Sequence, residues 1–340
     1  MAGRKINKGL KIFLIILGSL VGLALLAIAF MFALRGFAGL PRVDKKDIPQ
    51  SDNPYILEND TYISAHRAGK KLAPENTISA FSRCLTLMES KGYRVDVLEF
   101  DLQLTKDGYL VLLHDGTLDR TSNCEEVEGF GKDSKVIDHT LAELQTLEMW
   151  HDYEGDDFDK AEARICTLNQ VFDYVNSRGY TDMKYVVEIK DSGENGEKAT
   201  DILYETLVDY GLLNKTVVGT FNDNVTKYID KEYVEKGMTR SASIMEVIKF
   251  YMDFSFNVDL TDRLPSFRVL QIPTDDYVII DFGKESFIDY AHKYGIAVQY
   301  WTINEADEIE SLMKMGADAV ITDYPDVANE VYNRIMGKED

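Results

Sequence analysis

The sequence has only three cysteines, Cys84, Cys124 and Cys166, and their spacing matches no metal-ligand pattern. An odd number cannot pair completely within one chain, so no role is assigned to them. No glycine-rich phosphate loop follows any predicted strand, and no serine or cysteine stands in an obvious nucleophile elbow. These absences disfavour nucleotide-binding folds and hydrolases that use a serine or cysteine nucleophile.

Acidic residues are absent before Asp44, and the charge balance of the chain changes there. All 58 acidic residues lie in the segment 44–340 together with 31 basic ones, so this segment has a formal net charge of −27. A negative field of this size disfavours nucleic acid as a partner and does not attract anionic lipid surfaces. An anionic substrate must therefore be captured by a local positive group, such as a bound cation.

Charged residues are also missing from 12–34, a run of 23 residues rich in Leu, Ile, Ala, Phe and Gly. A helix of that length can cross a hydrocarbon core of about 30 Å, so the run predicts one transmembrane helix after a cytoplasmic tail, residues 1–11. A cleaved signal peptide is the alternative, because residues 29–33 include small side chains that suit cleavage. The apolar region of a signal peptide, however, usually spans only about 7–15 residues.

The flanking charges do not set the orientation of this span, since four basic residues stand within the counting window on each side. We expect the N-terminus inside the cell, because a short tail stays behind more easily than a large domain that resembles secreted ones. The predicted location is therefore the cell membrane, with a single span and the folded domain outside the cytoplasm.

Beyond the span, residues 35–58 have the composition of a linker, and residues 59–340 predict one domain. Short β-branched runs there alternate with stretches of helical spacing, which implies a parallel sheet. Eight strands favour a (β/α)8 TIM barrel with its active site at the C-terminal strand ends, with an open doubly wound sheet as the alternative. Residues 116–166, after the third strand, are too long for a simple connection and predict an insertion or lid. The predicted strands are Tyr62–Ala65, Val95–Phe100, Tyr109–Leu113, Tyr185–Ile189, Thr216–Thr220, Ser241–Ile244, Ile296–Thr302 and Ala319–Thr322.

Acidic side chains stand at the ends of the second and fourth predicted strands. Glu99 and Asp101 are two residues apart in one strand, so both point to the same face. Adjacent carboxylates repel each other unless a positive group compensates, and a hard divalent cation with Glu188 as a third ligand would do so. The alternative is that the first two line a solvated edge or pair with Arg67 and Lys190.

Basic side chains end the first, third and fourth predicted strands. His66 and His114 should meet the carboxylate cluster, and a histidine pair can supply a general base and a general acid near neutral pH. Arg67 offers a planar fork for phosphate oxygens, and Lys190 offers a point charge. Two imidazoles, two cations and a metal ion together suit phosphoryl transfer.

Several motifs occur in order across residues 61–335. They are Ala65-His66-Arg67, Ala73-Pro74-Glu75-Asn76-Thr77, Leu98-Glu99-Phe100-Asp101, Leu113-His114-Asp115, Val187-Glu188-Ile189-Lys190, Tyr300-Trp301-Thr302 and Ile321-Thr322-Asp323-Tyr324-Pro325. Taken together, these motifs resemble the glycerophosphodiester phosphodiesterase family, and the apolar run and linker lie outside the match. The resemblance implies a (β/α)8 barrel that cleaves glycerophosphodiesters to glycerol 3-phosphate and an alcohol.

The resemblance also implies roles for individual residues. It implies that one divalent cation, Ca²⁺ or Mg²⁺, binds to Glu99, Asp101 and Glu188. It implies an acid–base pair at His66 and His114. Three further residues of the motifs predict local roles only, as helix caps or orienting groups: Asn76, Asp115 and Asp323.

The matching positions further assign phosphate contact to Arg67, a place beside the metal to Lys190 and substrate contact to Trp301, for which barrel packing is the alternative. The family usually has glycine directly after His-Arg, whereas this chain has Ala68 followed by Gly69. If the backbone there requires a positive φ, an alanine is strained. We expect a small local adjustment and retained activity.

Two other functions are compatible with these residues. A phospholipase D-like or cyclising lyase activity on lysophospholipids is one, because the predicted anchor holds the barrel near lipid. A tethered, non-catalytic protein that binds phosphorylated polyols is the other. Paired histidines disfavour that second function, since a protein that only binds its ligand has no use for an acid–base pair.

Overall fold

The structure is a computed structural model that describes residues 22–23, 25–27, 29–30, 43–45, 48–274 and 280–337. The described residues between 22 and 30 are helical, while the rest of the predicted span 12–34 and the predicted tail 1–11 lie outside the described residues. Among the residues that are described, no helix combines the length and the hydropathy that crossing a bilayer requires. The transmembrane helix therefore stays a prediction.

The last part of the predicted linker, residues 35–58, packs against the domain. The side chain of Asn53 donates hydrogen bonds to the carbonyl oxygens of Arg268 and Gly295, at 2.7 and 2.9 Å. Tyr55 is only 2% exposed. Because these carbonyls precede two barrel strands, the end of this segment covers the N-terminal side of the barrel.

Strands and helices alternate along the described ranges. The strands are β1 (Tyr62–Ala65), β2 (Val97–Leu104), β3 (Leu110–Leu112), β4 (Lys184–Ile189), β5 (Thr216–Gly219), β6 (Thr239–Arg240), β7 (Val269–Ile272), β8 (Ala297–Tyr300) and β9 (Ala319–Thr322). The helices of four or more residues there are α1 (Ile78–Lys91), α2 (Leu141–Leu144), α3 (Leu168–Ser177), α4 (Gly193–Asp209), α5 (Asp223–Glu232), α6 (Ile244–Ser255), α7 (Glu285–Lys293), α8 (Ala306–Met315) and α9 (Pro325–Ile335).

Eight of these strands form a parallel sheet in the order β6-β5-β4-β2-β1-β9-β8-β7. The two end strands approach each other, and a parallel bridge joins Ser241, just after β6, to Val269 of β7. The sheet is therefore a nearly closed barrel, and most of its strands are followed by a helix that packs outside it. The predicted (β/α)8 architecture is confirmed at this level.

The assignment of individual strands needs correction. The predicted barrel strand Tyr109–Leu113 is wrong, because β3 pairs antiparallel with β2 and forms a hairpin. The eighth barrel strand is instead β7, where no strand was predicted. The predicted strand Ser241–Ile244 is misplaced, because β6 ends at Arg240 and Ser243 caps α6. Short apolar runs look alike in a hairpin and in a barrel, so periodicity could not separate them.

The length of β2 explains how the residues after β3 reach the C-terminal end of the barrel. Residues 97–102 pair with β4, and residues 102–104 extend further and pair with β3. Because β3 runs back along β2, the chain returns to the level of Asp101, whose carbonyl accepts a hydrogen bond from the N–H of Leu113 at 3.1 Å. His114 consequently reaches the C-terminal end of the barrel although β3 is not a barrel strand.

An aromatic layer outside the barrel holds β2 in place. Phe100 is fully buried, and its ring lies 5.8 Å from that of Phe81, 6.4 Å from Phe172 and 6.1 Å from Tyr185, measured between centroids. Successive side chains of a strand point to opposite faces. The residues on either side of Phe100 therefore point into the barrel, where the predicted site lies.

The predicted insertion, residues 116–166, packs over the hairpin with a small apolar core of its own. Its short helix α2 begins with a capping box, in which Thr140 and Glu143 each accept a hydrogen bond from the other's backbone N–H. The buried residues that join this core to Val111 and Leu113 of the hairpin are Leu118, Cys124, Val136, Leu144, Leu147, Met149 and Ile165. The insertion is thus fixed beside the end of the barrel that carries the site.

Candidate active site

A cavity of about 130 Å³ opens at the C-terminal ends of the barrel strands. Seven of the eight residues predicted to form the site line this cavity, all except Lys190. That lysine stands next to the lining, with its ammonium in contact with Asp101 and Glu188. The structure therefore brings together every residue that the sequence predicted for the site.

Three carboxylates meet on the inner side of the barrel. The register of β2 against β4 places Asp101 directly opposite Glu188, and Glu99 lies one inward position earlier on β2. Asp101 is 1% exposed and Glu99 is 6% exposed. Burial, together with the neighbouring charge of Asp101, raises the pKa of Glu99 to about 7. Burial also raises the pKa of Glu188. The group thus concentrates negative charge that cations must balance.

Protein cations already contact these carboxylates. The Lys190 Nζ atom lies 2.9 Å from Glu188 Oε1 and 3.5 Å from Asp101 Oδ1, and the Arg67 Nε atom lies 3.7 Å from Asp101 Oδ2. The backbone N–H of Arg67 donates to Glu99 Oε2 at 2.7 Å. Asp101 thus forms the ion pairs that the alternative interpretation of the acidic pair predicts, whereas Glu99 accepts from the backbone of Arg67.

The three carboxylates also have the right chemistry for a metal ion. Carboxylate oxygens are the ligands that Ca²⁺ and Mg²⁺ prefer in proteins, and the buried charge of Glu99, Asp101 and Glu188 would be reduced by such a cation. Within the part of the chain that the structure describes, no group of three or more His, Cys, Asp or Glu side chains is arranged as a ready metal shell. The donor set fits a hard divalent cation, and its binding stays a prediction.

His66 is held by a carboxylate from the neighbouring strand end. Its Nδ1 atom lies 2.6 Å from Asp323 Oδ1, and its Nε2 atom lies 4.0 Å from Glu99 Oε2. Burial acts to lower the pKa of this imidazole, but the two carboxylates outweigh burial and the pKa is raised. Asp323 also accepts a hydrogen bond from Asn304 at 3.1 Å, so it orients a histidine and is not the helix cap that the sequence predicted.

His114 has an equivalent arrangement on the other side of the cavity. Its Nδ1 atom lies 2.7 Å from Asp115 Oδ1, and Asp115 Oδ2 accepts a hydrogen bond from Arg120 Nε at 2.5 Å. Burial lowers the pKa of the His114 imidazole. In both histidines the Nδ1 atom is hydrogen-bonded to a carboxylate. The Nε2 atom is therefore available to exchange a proton with a ligand in the cavity, as a general acid or base requires.

The buried side chain of Glu75 links Arg67, the candidate phosphate-binding residue, to Arg120 of the insertion. Glu75 Oε1 accepts hydrogen bonds from Arg67 at 2.8 Å and from Arg120 at 2.6 Å. Although burial opposes ionisation, the two arginines hold the pKa of Glu75 at about 2. The charges therefore alternate from Asp101 through Arg67, Glu75 and Arg120 to Asp115, and this network spans the site from the barrel to the insertion.

The loop after β1 has positive φ angles, including one at Ala68, where the related family usually has glycine. Arg67 has φ 49°, Ala68 has φ 62° and Gly69 has φ 91°. An alanine at this φ is strained, so the departure from the usual glycine has a conformational cost. Asn76 also has a positive φ, 58°, and its side chain donates to Asp101 Oδ2 at 2.9 Å. Thr77, and not Asn76 as predicted, caps α1.

Two aromatic side chains stand at the mouth of the cavity. Trp301 directly follows β8, whereas the sequence placed it inside that strand, and its ring lies 6.1 Å from the ring of Phe221 in an edge-on arrangement. Phe221 follows β5, lines the cavity and is 51% exposed. Sequence reasoning missed Phe221, and it also missed Glu75 and Arg120, because the path of the insertion cannot be read from a pattern. The available signals were the motif around Glu75 and the run Leu118-Asp119-Arg120-Thr121, which also belongs to the family resemblance.

Replacing Glu75 with Gln should destabilise the fold at pH 7, and by a smaller amount as the pH falls below 4.5. The pKa of this carboxyl is about 2 in the folded chain against an ordinary value of 4.5. Its charge therefore stabilises the folded state fully above pH 4.5, and this contribution is lost as the pH falls through about 2. A shift of this size corresponds to about 3 kcal/mol.

Urea unfolding of the wild type and Glu75→Gln, measured at pH 7 and pH 3, checks this expectation. Glu154→Gln, an exposed position in the insertion, is the matched control and should unfold like the wild type at both pH values. A stability difference for Glu75→Gln that is equal at both pH values would contradict the assignment.

The family model and the similar proteins point to the same family. The model of the glycerophosphoryl diester phosphodiesterase family matches residues 66–327. A glycerophosphodiester phosphodiesterase from Caldanaerobacter subterraneus subsp. tengcongensis is 29% identical over 268 residues, covering 78% of this chain and 95% of that protein. One from Bacillus subtilis is 25% identical over 284 residues, covering 81% of this chain and 88% of that protein.

Solved structures share the fold. A glycerophosphodiester phosphodiesterase from Agrobacterium tumefaciens has a TM-score of 0.57 at 19% identity, over 79% of this chain and 99% of that one. A phosphodiesterase from Oleispira antarctica, solved in complex with the product sn-glycerol-3-phosphate, has a TM-score of 0.58 at 21% identity, over 81% and 97%. Since the family model covers most of the sequence, the chain belongs to the glycerophosphoryl diester phosphodiesterase family.

Proposed function

We propose that this chain hydrolyses glycerophosphodiesters to glycerol 3-phosphate and an alcohol. The observation that carries the proposal is that His66 and His114, each held at Nδ1 by a carboxylate, line the same cavity as Glu99 and Asp101. Membership of a family of phosphoric diester hydrolases supports it. The names of the relatives, and the product bound in the Oleispira antarctica structure, support the same substrate class.

In the proposed mechanism one histidine activates the nucleophile, which is either water or a glycerol hydroxyl of the substrate. The other histidine protonates the leaving alcohol as the phosphorus–oxygen bond breaks. Arg67, which lines the cavity beside both carboxylates, would contact the phosphate oxygens through its guanidinium. Asp323 and Asp115 would hold the imidazoles in the tautomer and orientation that proton transfer needs.

We propose that Glu99, Asp101 and Glu188 hold one divalent cation, Ca²⁺ or Mg²⁺. When bound, such a cation would neutralise charge on the phosphoryl oxygens. The concentration of buried carboxylates and the raised pKa of Glu99 support this role, because burial and the repulsion between the carboxylates both make their charge costly. Lys190 contacts two of the same carboxylates and would share in neutralising them.

Alanine at either histidine should remove most of the activity. General acid or base catalysis by one side chain contributes roughly 10²–10⁴-fold, so we expect a fall of about that size in kcat for His66→Ala and for His114→Ala. The assay is hydrolysis of glycerophosphocholine, with ³¹P NMR to distinguish glycerol 3-phosphate from a cyclic phosphate. His151→Ala, on an exposed histidine of the insertion, should keep the wild-type rate. Near-normal turnover in both site variants would refute the assignment.

Removal of divalent cations should abolish hydrolysis, and added Ca²⁺ or Mg²⁺ should restore it. Asp101→Asn should weaken binding of the cation by at least about tenfold in calorimetry, because it removes the charge of one of the three carboxylates proposed to hold the cation. Asp182→Asn, at an exposed aspartate that pairs with Lys215, is the control. Full activity in the presence of a chelator would contradict the metal proposal while leaving the histidine proposal to its own test.

We also propose that residues 12–34 anchor the enzyme in the cell membrane with the barrel outside the cytoplasm. The uncharged run and the absence of acidic residues before Asp44 support this location. The full chain should stay with membranes after an alkaline carbonate wash, whereas a chain that lacks residues 1–34 should be released. Protease added to intact cells should digest the barrel. Protection of the barrel until the cells are lysed would contradict the orientation.

A further inference from the structure

The turn that follows β1 has a backbone conformation that its own residues disfavour. We call residues 66–69 the β1 turn, in which φ is 49° at Arg67, 62° at Ala68 and 91° at Gly69. Residues other than glycine rarely adopt a positive φ, and they keep it only where the surrounding structure holds them. The turn places both His66 and Arg67 in the cavity, so the site depends on the contacts that hold the turn.

A buried thiol contacts the strained alanine. Cys84 of α1 is fully buried, and its thiol donates to the carbonyl oxygen of Ala68, with 2.9 Å between sulfur and oxygen. Among the residues that the structure describes, no other donor reaches this carbonyl oxygen. Burial raises the pKa of the Cys84 thiol to about 12, so the sulfur keeps the proton that it donates. The thiol therefore satisfies a carbonyl that would otherwise be buried without a partner.

The same sulfur atom limits where a side chain fits in the β1 turn. A Cβ atom built on Gly69 would lie 2.9 Å from the sulfur of Cys84, closer than such atoms pack. Residue 69 therefore has no room for a side chain, and the glycine of this turn stands there. Ala68 consequently occupies the position where the family usually has glycine. The strain at Ala68 and the hydrogen bond to its carbonyl oxygen belong to one arrangement.

A second thiol supports the far end of the same loop. Cys166 is 3% exposed, and its sulfur lies 3.5 Å from the carbonyl oxygen of Asn76, to which it donates. Asn76 also has a positive φ, and its side chain donates to Asp101. The third buried thiol differs, because the sulfur of Cys124 lies 3.8 Å from the carbonyl oxygen of Gly131, within the insertion. Two thiols thus hold positive-φ residues of the site, and the third does not.

Two other roles are possible for a buried cysteine. It is often a small apolar residue that only fills space, and in that case its loss changes stability and leaves the site as it was. It can also act as a nucleophile or redox centre, but this requires an accessible thiolate, whereas Cys84 is buried and protonated. The hydrogen bond to the strained residue favours a third role, in which the thiol holds the backbone.

We propose that Cys84 is a positioning residue for the reaction. Its thiol holds the carbonyl oxygen of Ala68 and thereby keeps His66 and Arg67 turned towards the substrate. Cys166 supports the other end of the same loop. The inference rests on the proposed function, because His66 and Arg67 are the groups through which the β1 turn acts on the phosphodiester. Neither sulfur takes part in a covalent step.

The first test compares three single variants of the full chain in the hydrolysis of glycerophosphocholine. Cys84→Ala leaves the buried carbonyl without a donor, so we expect kcat to fall about fivefold or more. Cys84→Ser keeps an O–H donor and should recover most of this loss. Cys124→Ala removes an equally buried thiol, so it should lower the stability to urea by a similar amount while kcat keeps its wild-type value. An unchanged kcat in Cys84→Ala, or an equal fall in Cys124→Ala, overturns the inference.

A double-mutant cycle with Ala68→Gly separates holding of the turn from filling of space. Glycine adopts a positive φ without strain, so the β1 turn should need the thiol less once Ala68 is replaced. We expect the factor by which Cys84→Ala lowers kcat to be about threefold smaller in the Ala68→Gly chain than in the wild type. Equal factors in the two chains would mean that the sulfur only fills space, and the inference would be wrong.

NMR of the histidine side chains tests the position of His66 without turnover. The full chain is labelled with ¹⁵N at its five histidines, and the signals are assigned with His66→Ala and His114→Ala. Cys84→Ala should shift the imidazole signals of His66 and leave those of His114, which follows the hairpin, and Cys84→Ser should restore them. Movement of both histidines, or of neither, is contrary to the inference. If His66 alone responds but the wild type does not cleave glycerophosphocholine, the proposed function fails and the positioning role stands.

Discussion

The parallel register between β2 and β4 is the constraint on which the site depends. It sets Asp101 opposite Glu188, and the alternation of side chains sends Glu99 into the barrel while Phe100 enters the aromatic layer outside. A slip of one residue would exchange these faces, burying the carboxylates among aromatic rings and placing a phenylalanine in the cavity. The packing of Phe100 outside the barrel therefore helps to fix the carboxylates on its inner side.

This placement concentrates negative charge in a buried position, and successive layers of charged residues around the site compensate it. Arg67 and Lys190 contact the carboxylates, Glu75 pairs with Arg67, and Arg120 pairs with Glu75. Each added charge is compensated by the next, and the sequence of charges ends in the insertion. Such alternation leaves few buried ions without a partner, which is the condition under which buried ion pairs are tolerated. It also means that residues two layers away would affect the proposed binding of a cation by these carboxylates.

Much of the site could be predicted because its residues stand at strand ends, where parallel strands of a barrel must bring them together. The positions of His66, Glu99 and Glu188 follow from that rule alone. The rest could not be predicted, because it depends on chain paths that no period encodes. Arg120 comes from an insertion, β7 is as short as many apolar runs that are not strands, and Asn76 adopts a positive φ. That Asn76 contacts Asp101, and does not cap a helix, follows from tertiary contacts and not from local preference.

His114 shows why a correct site can come from an incorrect strand. It was predicted at the end of a barrel strand, yet it reaches the cavity by another path. Strand β2 extends beyond its pairing with β4, and β3 runs back along it to the level of the cavity. The two histidines consequently have different supports. His66 and its partner Asp323 follow β1 and β9, which pair directly in the barrel. His114 instead relies on the hairpin and, through Asp115 and Arg120, on the insertion. Changes in the insertion should therefore act on one imidazole while the geometry of the other stays with the barrel.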